Sequence, residues 1–144
     1  EESRKRVKRH RDMRFGKGFD TVECYTGLSE VRVPKGCTVL LECMSNLVAN
    51  EIFREDGAHE NTEAEILKGI QNLKAQAENL IVVTNEIFSE AASYEGETEA
   101  YQKVLGRVNQ CLGKMADSVV EVVYGIPVYH KKGGDSHEKS VEQL

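Results

Sequence analysis

Two short apolar runs on either side of one amphipathic segment constrain the fold most. The runs are "CTVLLEC", residues 37–43, and "LIVVTNE", residues 80–86. Continuous apolar runs of this length are typical of strands buried on both faces of a parallel sheet. Between them, residues 61–80 carry apolar side chains at helical spacing, and Thr62 with Glu65 has the pattern of a capping box. The order strand, helix, strand predicts a βαβ unit with parallel strands.

The rest of the chain fits around this unit. "GFDTVEC", residues 18–24, alternates like a strand, and residues 45–53 follow the first apolar run as a helix capped by Ser45 or Asn46. A further helix is predicted over residues 98–116, followed in "SVVEVVYGIPVYH" by a strand, a Gly-Ile-Pro turn and a second short strand. We therefore predict a single α/β domain over residues 1–132 and a disordered tail over residues 133–144.

Composition narrows the class of protein. The 144 residues carry a formal net charge of −5, which argues against general affinity for polyanions such as nucleic acid. No apolar run approaches the roughly 20 residues that span a bilayer, and the N-terminus lacks the apolar core of a signal peptide. The four cysteines form no CxxC pair. These features predict a reduced, cytoplasmic protein without a membrane span.

The most basic segment is "RKRVKRHRDMR", residues 4–14, with His10 near its middle. Taken alone, such a charge run is typical of a solvated helix face. A nucleic-acid-binding arm is a second interpretation, which the acidic domain and the lack of aromatic residues before Phe15 disfavour. A reactive imidazole surrounded by cations is the third. The local sequence leaves these alternatives open.

Six stretches occur in the order found in one known family. They are "RKRVKRHRDMR" (4–14), "TVEC" (21–24), "LLEC" (40–43), "VVTNEI" (82–87), "GRVNQCL" (106–112) and "ADSVVEVVYGIP" (116–127). In this order the chain resembles the bifunctional adenosylcobinamide kinases and adenosylcobinamide-phosphate guanylyltransferases of cobalamin biosynthesis. The resemblance covers most of residues 4–130. It implies a P-loop NTPase-like (RecA-like) fold, with a mostly parallel sheet flanked by helices.

The resemblance also implies the chemistry. Members of this family phosphorylate adenosylcobinamide and then transfer GMP from GTP onto that phosphate through a guanylyl-histidine, which by position in the motif is His10. An imidazole nitrogen can attack the α-phosphorus of GTP if cations offset the phosphate charge. Arg11 and Arg14 are close in sequence, and Arg14 shares a helical face with His10. The implied ligands are GTP or ATP with Mg²⁺, and the implied assembly is a homotrimer.

Further site residues follow from the matched motifs. The resemblance implies nucleotide binding by Arg11, Asp12, Met13, Arg14, Glu23 and Glu42. Glu42 follows a predicted strand, where open α/β sheets place their ligands, and its carboxylate is a candidate Mg²⁺ ligand. The resemblance assigns no role to four other polar residues of the matched stretches, which are Asn85, Glu86, Arg107 and Asn109.

One family feature is absent from the sequence. P-loop enzymes of this family begin with a strand, a loop containing Gly-Lys-Ser and a helix, but no GxxxxGK[ST] match occurs in these residues. Gly16-Lys17 and Gly113-Lys114 lack both the upstream glycine and the following hydroxyl residue. We therefore expect the first strand, P-loop and helix to precede Glu1 in the gene product. The alternative is a truncated, non-catalytic module that binds a nucleotide or a corrinoid.

Overall fold

The structure, a computed structural model, describes residues 18–85 and 96–133. Within them lie four strands, three α-helices and two short 3₁₀ turns, Leu28–Glu30 and His59–Asn61. The longer elements follow in chain order: β1 (Thr38–Leu41), α1 (Met44–Phe53), α2 (Thr62–Gln76), β2 (Asn79–Val82), α3 (Gly96–Met115), β3 (Val119–Val123) and β4 (Ile126–Lys131). Among the described residues, no helix combines the length and apolar character that crossing a bilayer requires.

The predicted parallel strand pair is confirmed. β1 and β2 pair in parallel, with Thr38 opposite Asn79 and Leu41 opposite Val82. The pairing continues beyond the strands, because the Val83 N–H donates to the Leu41 carbonyl and the Met44 N–H donates to the Val83 carbonyl, both at 2.9 Å. Both strand ends therefore reach the same edge of the sheet, and α1 begins there.

The core lies between one face of this strand pair and the three helices. Its partly buried strand residues are Val39, Leu41, Leu80 and Val82. The buried residues come from all three helices and the first 3₁₀ turn, and they are Leu28, Met44, Leu47, Val48, Ile66, Ile70, Leu73, Leu105 and Val108. Gly69 of α2 lies against Leu28, since a Cβ on Gly69 would stand 2.6 Å from the Leu28 Cβ.

The opposite face of the strand pair corrects the prediction of strands buried on both sides. Leu40, Ile81 and Val83 are 40%, 52% and 45% exposed. Side chains alternate across a strand, so a continuous apolar run supplies two apolar faces, and the described helices cover one of them. The fold class is nevertheless the predicted mixture of helices with a parallel sheet.

Both predicted helix caps are wrong in detail. The residue before α1 is Cys43, in a left-handed conformation with φ 61°, while Ser45 is buried within the helix. Thr62 is the first residue of α2, and its hydroxyl donates to the His59 carbonyl at 2.6 Å. Glu65 instead accepts a hydrogen bond from Ser29, so tertiary contacts replace the capping box.

The predicted strand at residues 18–24 does not form. These residues have neither helical nor strand structure, and Phe19 and Val22 are 57% and 61% exposed. An alternating pattern produces a strand only where a neighbouring strand accepts its hydrogen bonds. The described part of the chain provides none at this segment.

β3 and β4 form the predicted strand-turn-strand as an antiparallel hairpin. The turn is formed by Tyr124 and Gly125 rather than by Gly-Ile-Pro, with φ 50° and 77°. Positive φ at both central residues defines the turn type that matches the twist of a tight hairpin. Pro127 lies inside β4. The predicted tail, residues 133–144, falls outside the described residues from residue 134 onward.

Candidate functional site

The carboxyl ends of β1 and β2 form the first part of the candidate site. β1 ends at Leu41, and the next residue, Glu42, is exposed. Cys43 then turns the chain through its left-handed conformation into α1. Ligands of open α/β sheets bind outside the carboxyl ends of the strands, and Glu42 stands at such an end. The structure therefore places Glu42 where the sequence predicted it.

A neutral hydrogen-bond network continues along this edge. The Thr84 hydroxyl donates to Oδ1 of Asn109 at 2.7 Å, and the Asn109 amide donates to the Asn85 carbonyl at 3.3 Å. The Asn85 amide donates in turn to the Ser45 hydroxyl at 3.5 Å. The Tyr101 hydroxyl donates to the Ser45 carbonyl, and burial raises the pKa of that hydroxyl. Asn85 and Asn109, which the sequence left without roles, thus hold the end of β2 against α1 and α3.

A cleft with a volume of ≈ 300 Å³ lies at the other end of α1, beside the loop that follows the helix, and is a second candidate region. One wall comes from the segment 23–31 and the other from Arg54 and Asp56 in the loop after α1. The Arg54 guanidinium lies 5.3 Å from the centre of the Tyr25 ring. Glu23, a predicted nucleotide ligand, lines the first wall.

Arg54 and Asp56 place opposite charges next to each other in one wall of this cleft. The Nε of Arg54 is 2.9 Å from Oδ1 of Asp56, and the Thr26 hydroxyl donates to Oδ2 at 3.4 Å. The hydrogen bond from Arg54 lowers the pKa of the Asp56 carboxyl, and the same bond raises the pKa of Arg54. Both groups are therefore charged at neutral pH, with cation and anion side by side in one wall.

Glu51, which the sequence analysis did not single out, lies behind the cleft. It is 2% exposed, and its two carboxylate oxygens accept the N–H groups of Gly27 at 2.7 Å and Ala58 at 2.8 Å. The sequence signalled the burial of Glu51, which shares a helical face with the apolar Leu47 and Val48, but not its hydrogen-bond partners. Burial raises the pKa of the neighbouring Cys24 thiol, and the Glu51 carboxylate raises it further.

The remaining predicted residues divide into two groups. Those of the basic segment, His10, Arg11, Asp12, Met13 and Arg14, lie outside the described residues, as does Glu86. Arg107 is described, and its guanidinium pairs with Glu63 of α2 at 2.7 Å. Within residues 18–85 and 96–133, no group of three or more His, Cys, Asp or Glu side chains is placed to hold a metal ion.

Comparison with known proteins identifies the family. The family model described as "Cobinamide kinase / cobinamide phosphate guanyltransferase" matches residues 1–129. The bifunctional adenosylcobalamin biosynthesis protein CobU of Escherichia coli is 29% identical over 137 residues, covering 85% of this chain and 75% of that relative. The protein of the same name from Salmonella typhimurium matches with the same identity and coverage.

These matches confirm the resemblance that the six ordered stretches indicated. The family model spans the basic segment, both acid-terminated strand regions and most of the hairpin. The chain belongs to the cobinamide kinase / cobinamide phosphate guanyltransferase family.

Proposed function

We propose that the protein phosphorylates adenosylcobinamide and then converts adenosylcobinamide phosphate to adenosylcobinamide-GDP with GTP, in cobalamin biosynthesis. The family match over residues 1–129 supports this, and so does the bifunctional description of the two relatives. The proposal includes the P-loop NTPase-like, RecA-like architecture, organised as one nucleotide-binding domain over residues 1–132 with a disordered tail after it. The parallel β1–β2 pair is compatible with that architecture.

In the proposed transfer, His10 is the nucleophile. Its imidazole nitrogen attacks the α-phosphorus of GTP, an N–P bond forms, and the bond to the bridging oxygen of the β-phosphate breaks, releasing pyrophosphate. The phosphate oxygen of adenosylcobinamide phosphate then attacks the same phosphorus, and the N–P bond breaks to return free His10. Arg11 and Arg14 offset the negative charge on the phosphoryl oxygens, which a forked guanidinium does well. Asp12 and Met13 belong to the same nucleotide-binding segment.

The observation that carries the proposal is the family match over residues 1–129, and the positions of two acidic residues agree with nucleotide binding. Glu23 lines the open cleft, and Glu42 stands exposed at the carboxyl end of a parallel strand. A carboxylate in either place can accept hydrogen bonds from the guanine N1–H and amino group or from ribose hydroxyls. Mg²⁺ prefers oxygen ligands and is commonly held by one or two carboxylates together with substrate phosphates, so Glu42 fits it as a ligand. Mg²⁺ bound there would supply positive charge beside the phosphates.

A second candidate is a module that binds a nucleotide or a corrinoid without catalysis. The 144 residues contain no GxxxxGK[ST] match, and a protein without such a loop would lack the backbone amides and the lysine that hold the phosphates. This candidate predicts binding without turnover.

A labelling experiment tests the proposal. The full-length gene product is incubated with α-labelled GTP and Mg²⁺ and then denatured. We expect covalent label that is acid-labile and alkali-stable, as a phosphoramidate is, and that disappears in His10→Ala. His130→Ala is the matched control, because His130 is exposed on the hairpin, and it should label like the wild type. Absence of covalent label from the folded wild type would overturn the proposed transfer.

The kinase half needs its own assay. γ-Labelled ATP or GTP is supplied with adenosylcobinamide, and label is expected in the corrinoid product, in His10→Ala as well as in the wild type. Binding of GTP or cobinamide in calorimetry without label transfer in either assay would favour the non-catalytic module.

We further propose that the protein is a cytoplasmic homotrimer, as the family resemblance implies. Analytical ultracentrifugation of the purified protein checks this, and a monomeric mass across the accessible concentration range would contradict it.

A further inference from the structure

Glu51 is a charged residue in an otherwise apolar environment. It is 2% exposed on α1 beside the core residues Leu47 and Val48. Among the residues whose burial the structure describes, the other buried polar side chains, Ser45, Thr62 and Gln102, are uncharged. Burying a carboxylate is costly unless hydrogen bonds satisfy it, so the stability of Glu51 in this position depends on its hydrogen-bond partners.

The hydrogen-bond partners of Glu51 belong to the two walls of the cleft. Its Oε1 accepts the Gly27 N–H at 2.7 Å and its Oε2 accepts the Ala58 N–H at 2.8 Å. Gly27 lies in the segment that forms one wall of the cleft, and Ala58 closes the loop whose Arg54 and Asp56 form the other. One buried side chain therefore connects the two walls through backbone hydrogen bonds.

At both amides that donate to Glu51, the backbone conformation depends on a glycine. Gly27 has φ 71°, a conformation that side chains with a Cβ rarely adopt. A Cβ on Gly57 would stand 2.3 Å from the Glu51 carbonyl oxygen, so the second loop approaches α1 closely only because residue 57 is glycine. Both amides reach the carboxylate through glycine-dependent geometry.

The contacts at the mouth of the cleft are weaker than this buried connection. The Thr26–Asp56 hydrogen bond is 3.4 Å long and exposed, and the Arg54–Tyr25 contact also lies at the surface. Exposed polar contacts of this kind contribute little, because water competes for the same groups. Leu28 and the Asn72 amide hold the first wall against α2, and Glu51 is the buried side chain that connects this wall to the second one.

We infer that Glu51 is a positioning residue for nucleotide binding, which holds Glu23 and Asp56 at a fixed separation across the cleft. The inference rests on the proposed function, in which the Glu23 wall contacts the guanine nucleotide. Glu51 itself does not contact the ligand. It acts by preorganising two loops, which lowers the cost of ordering them on binding.

The test compares Glu51→Gln with Glu55→Gln in the full-length protein. Glutamine keeps the size of the side chain but replaces one acceptor oxygen with an amino group that cannot accept an N–H. Glu55 is an exposed glutamate in the loop that follows α1. Glu55→Gln therefore removes the same charge and leaves the buried carboxylate unchanged. Ala58→Pro is a second variant. It removes the Ala58 N–H and places a ring carbon against Oε2 of Glu51, so it breaks this connection without substituting Glu51 itself.

The readouts separate positioning from simple stability. In Glu51→Gln and Ala58→Pro we expect the KM for GTP in guanylyl transfer to rise about tenfold, the size of effect for a lost hydrogen bond to a charged group, with kcat changed much less. Amide hydrogen exchange at Gly27 should quicken in Glu51→Gln, and Glu55→Gln should match the wild type in both measurements.

Three outcomes would overturn the inference. The first is a lower melting temperature with an unchanged KM for GTP in folded Glu51→Gln. The second is an equal rise in KM in Glu55→Gln, which would show that only net charge matters. The third is a wild-type protein that does not bind GTP. This result would overturn the proposed function as well, and it differs from the other two because it is seen in the unsubstituted protein.

Discussion

The parallel pair β1–β2 and the hairpin β3–β4 are built from similarly apolar sequence but have opposite surroundings. Residues of β1 and β2 alternate between exposed and partly buried, and their inward side chains pack against the helical core. Every residue of β4 is exposed, as are four of the five residues of β3. Val122 of the hairpin is 69% exposed, whereas Val108 of α3 is fully buried.

This difference separates two sources of stability. The parallel pair depends on long-range packing, because its strands meet only after the chain has formed α1 and α2 between them. The hairpin depends on a two-residue turn and on neighbouring cross-strand pairs, and a lone two-stranded hairpin is marginally stable in water. Substitutions should therefore act globally in the first region and locally in the second.

The largest effect is expected from Leu105→Ala, which empties a fully buried position of α3. Loss of the side chain removes its burial and leaves a cavity, so the free energy of unfolding should fall by about 2–5 kcal/mol. Urea denaturation followed by circular dichroism measures it. Ile126→Ala in the exposed hairpin is the matched control, with a change below about 0.5 kcal/mol. Equal losses in the two variants would contradict the contrast between the regions.

Gly69→Ala should have the next largest effect. The new Cβ would stand within 3.0 Å of three Leu28 side-chain atoms, and overpacking of this kind costs about 1–3 kcal/mol. The better helix propensity of alanine offsets up to about 1 kcal/mol of that cost. Gly113→Ala in α3 is the control, since a Cβ there meets nothing within 4 Å and should stabilise the protein. Stabilisation by both substitutions in thermal unfolding would show that α2 and the Leu28 turn are not in close contact.

The contrast between the regions also explains what the sequence could predict. The βαβ unit, its parallel pairing and the final hairpin follow from patterns within short stretches, and the structure confirms them. Such patterns state which elements form and which side chains share a face. They do not state what covers that face, so the outward position of Leu40 and Ile81 was missed.

The candidate site was predictable only in part. Glu42 follows from the rule that ligands bind at strand ends, and the structure places it there. The cleft at Glu23 and the role of Glu51 were not predictable from local sequence, because Glu51 joins amides that lie 24 residues before it and 7 residues after it. The capping box failed for the same reason: Glu65 bonds to Ser29, 36 residues away. Long-range hydrogen bonds leave no periodic signal.

Gly125→Ala should destabilise the hairpin alone. Gly125 has φ 77°, and holding an alanine in this region costs about 1–2 kcal/mol. Because the core residues lie elsewhere, we expect faster amide exchange in β3 and β4 and an unchanged global free energy of unfolding. Native-state hydrogen exchange measures both quantities, and Gly36→Ala, at another turn with φ 77°, is the control that should leave hairpin exchange unchanged. Slower cooperative refolding of the whole chain in Gly125→Ala would instead show that the hairpin and the core fold as one unit.

The smallest effect is expected from Val122→Thr. The side chain is 69% exposed and opposite Pro127, and threonine is also a good strand former, so the stability should change by less than about 0.5 kcal/mol. Val108→Thr is the comparison, because there a hydroxyl would be placed in a fully buried apolar site at a cost of about 1–3 kcal/mol. The two substitutions make the same chemical change. The ratio of their effects on the free energy of unfolding therefore measures how much more buried Val108 is than Val122 in solution. If Val122→Thr proved as costly as Val108→Thr, and increasingly so at higher protein concentration, the hairpin would be covered by a second copy of the chain.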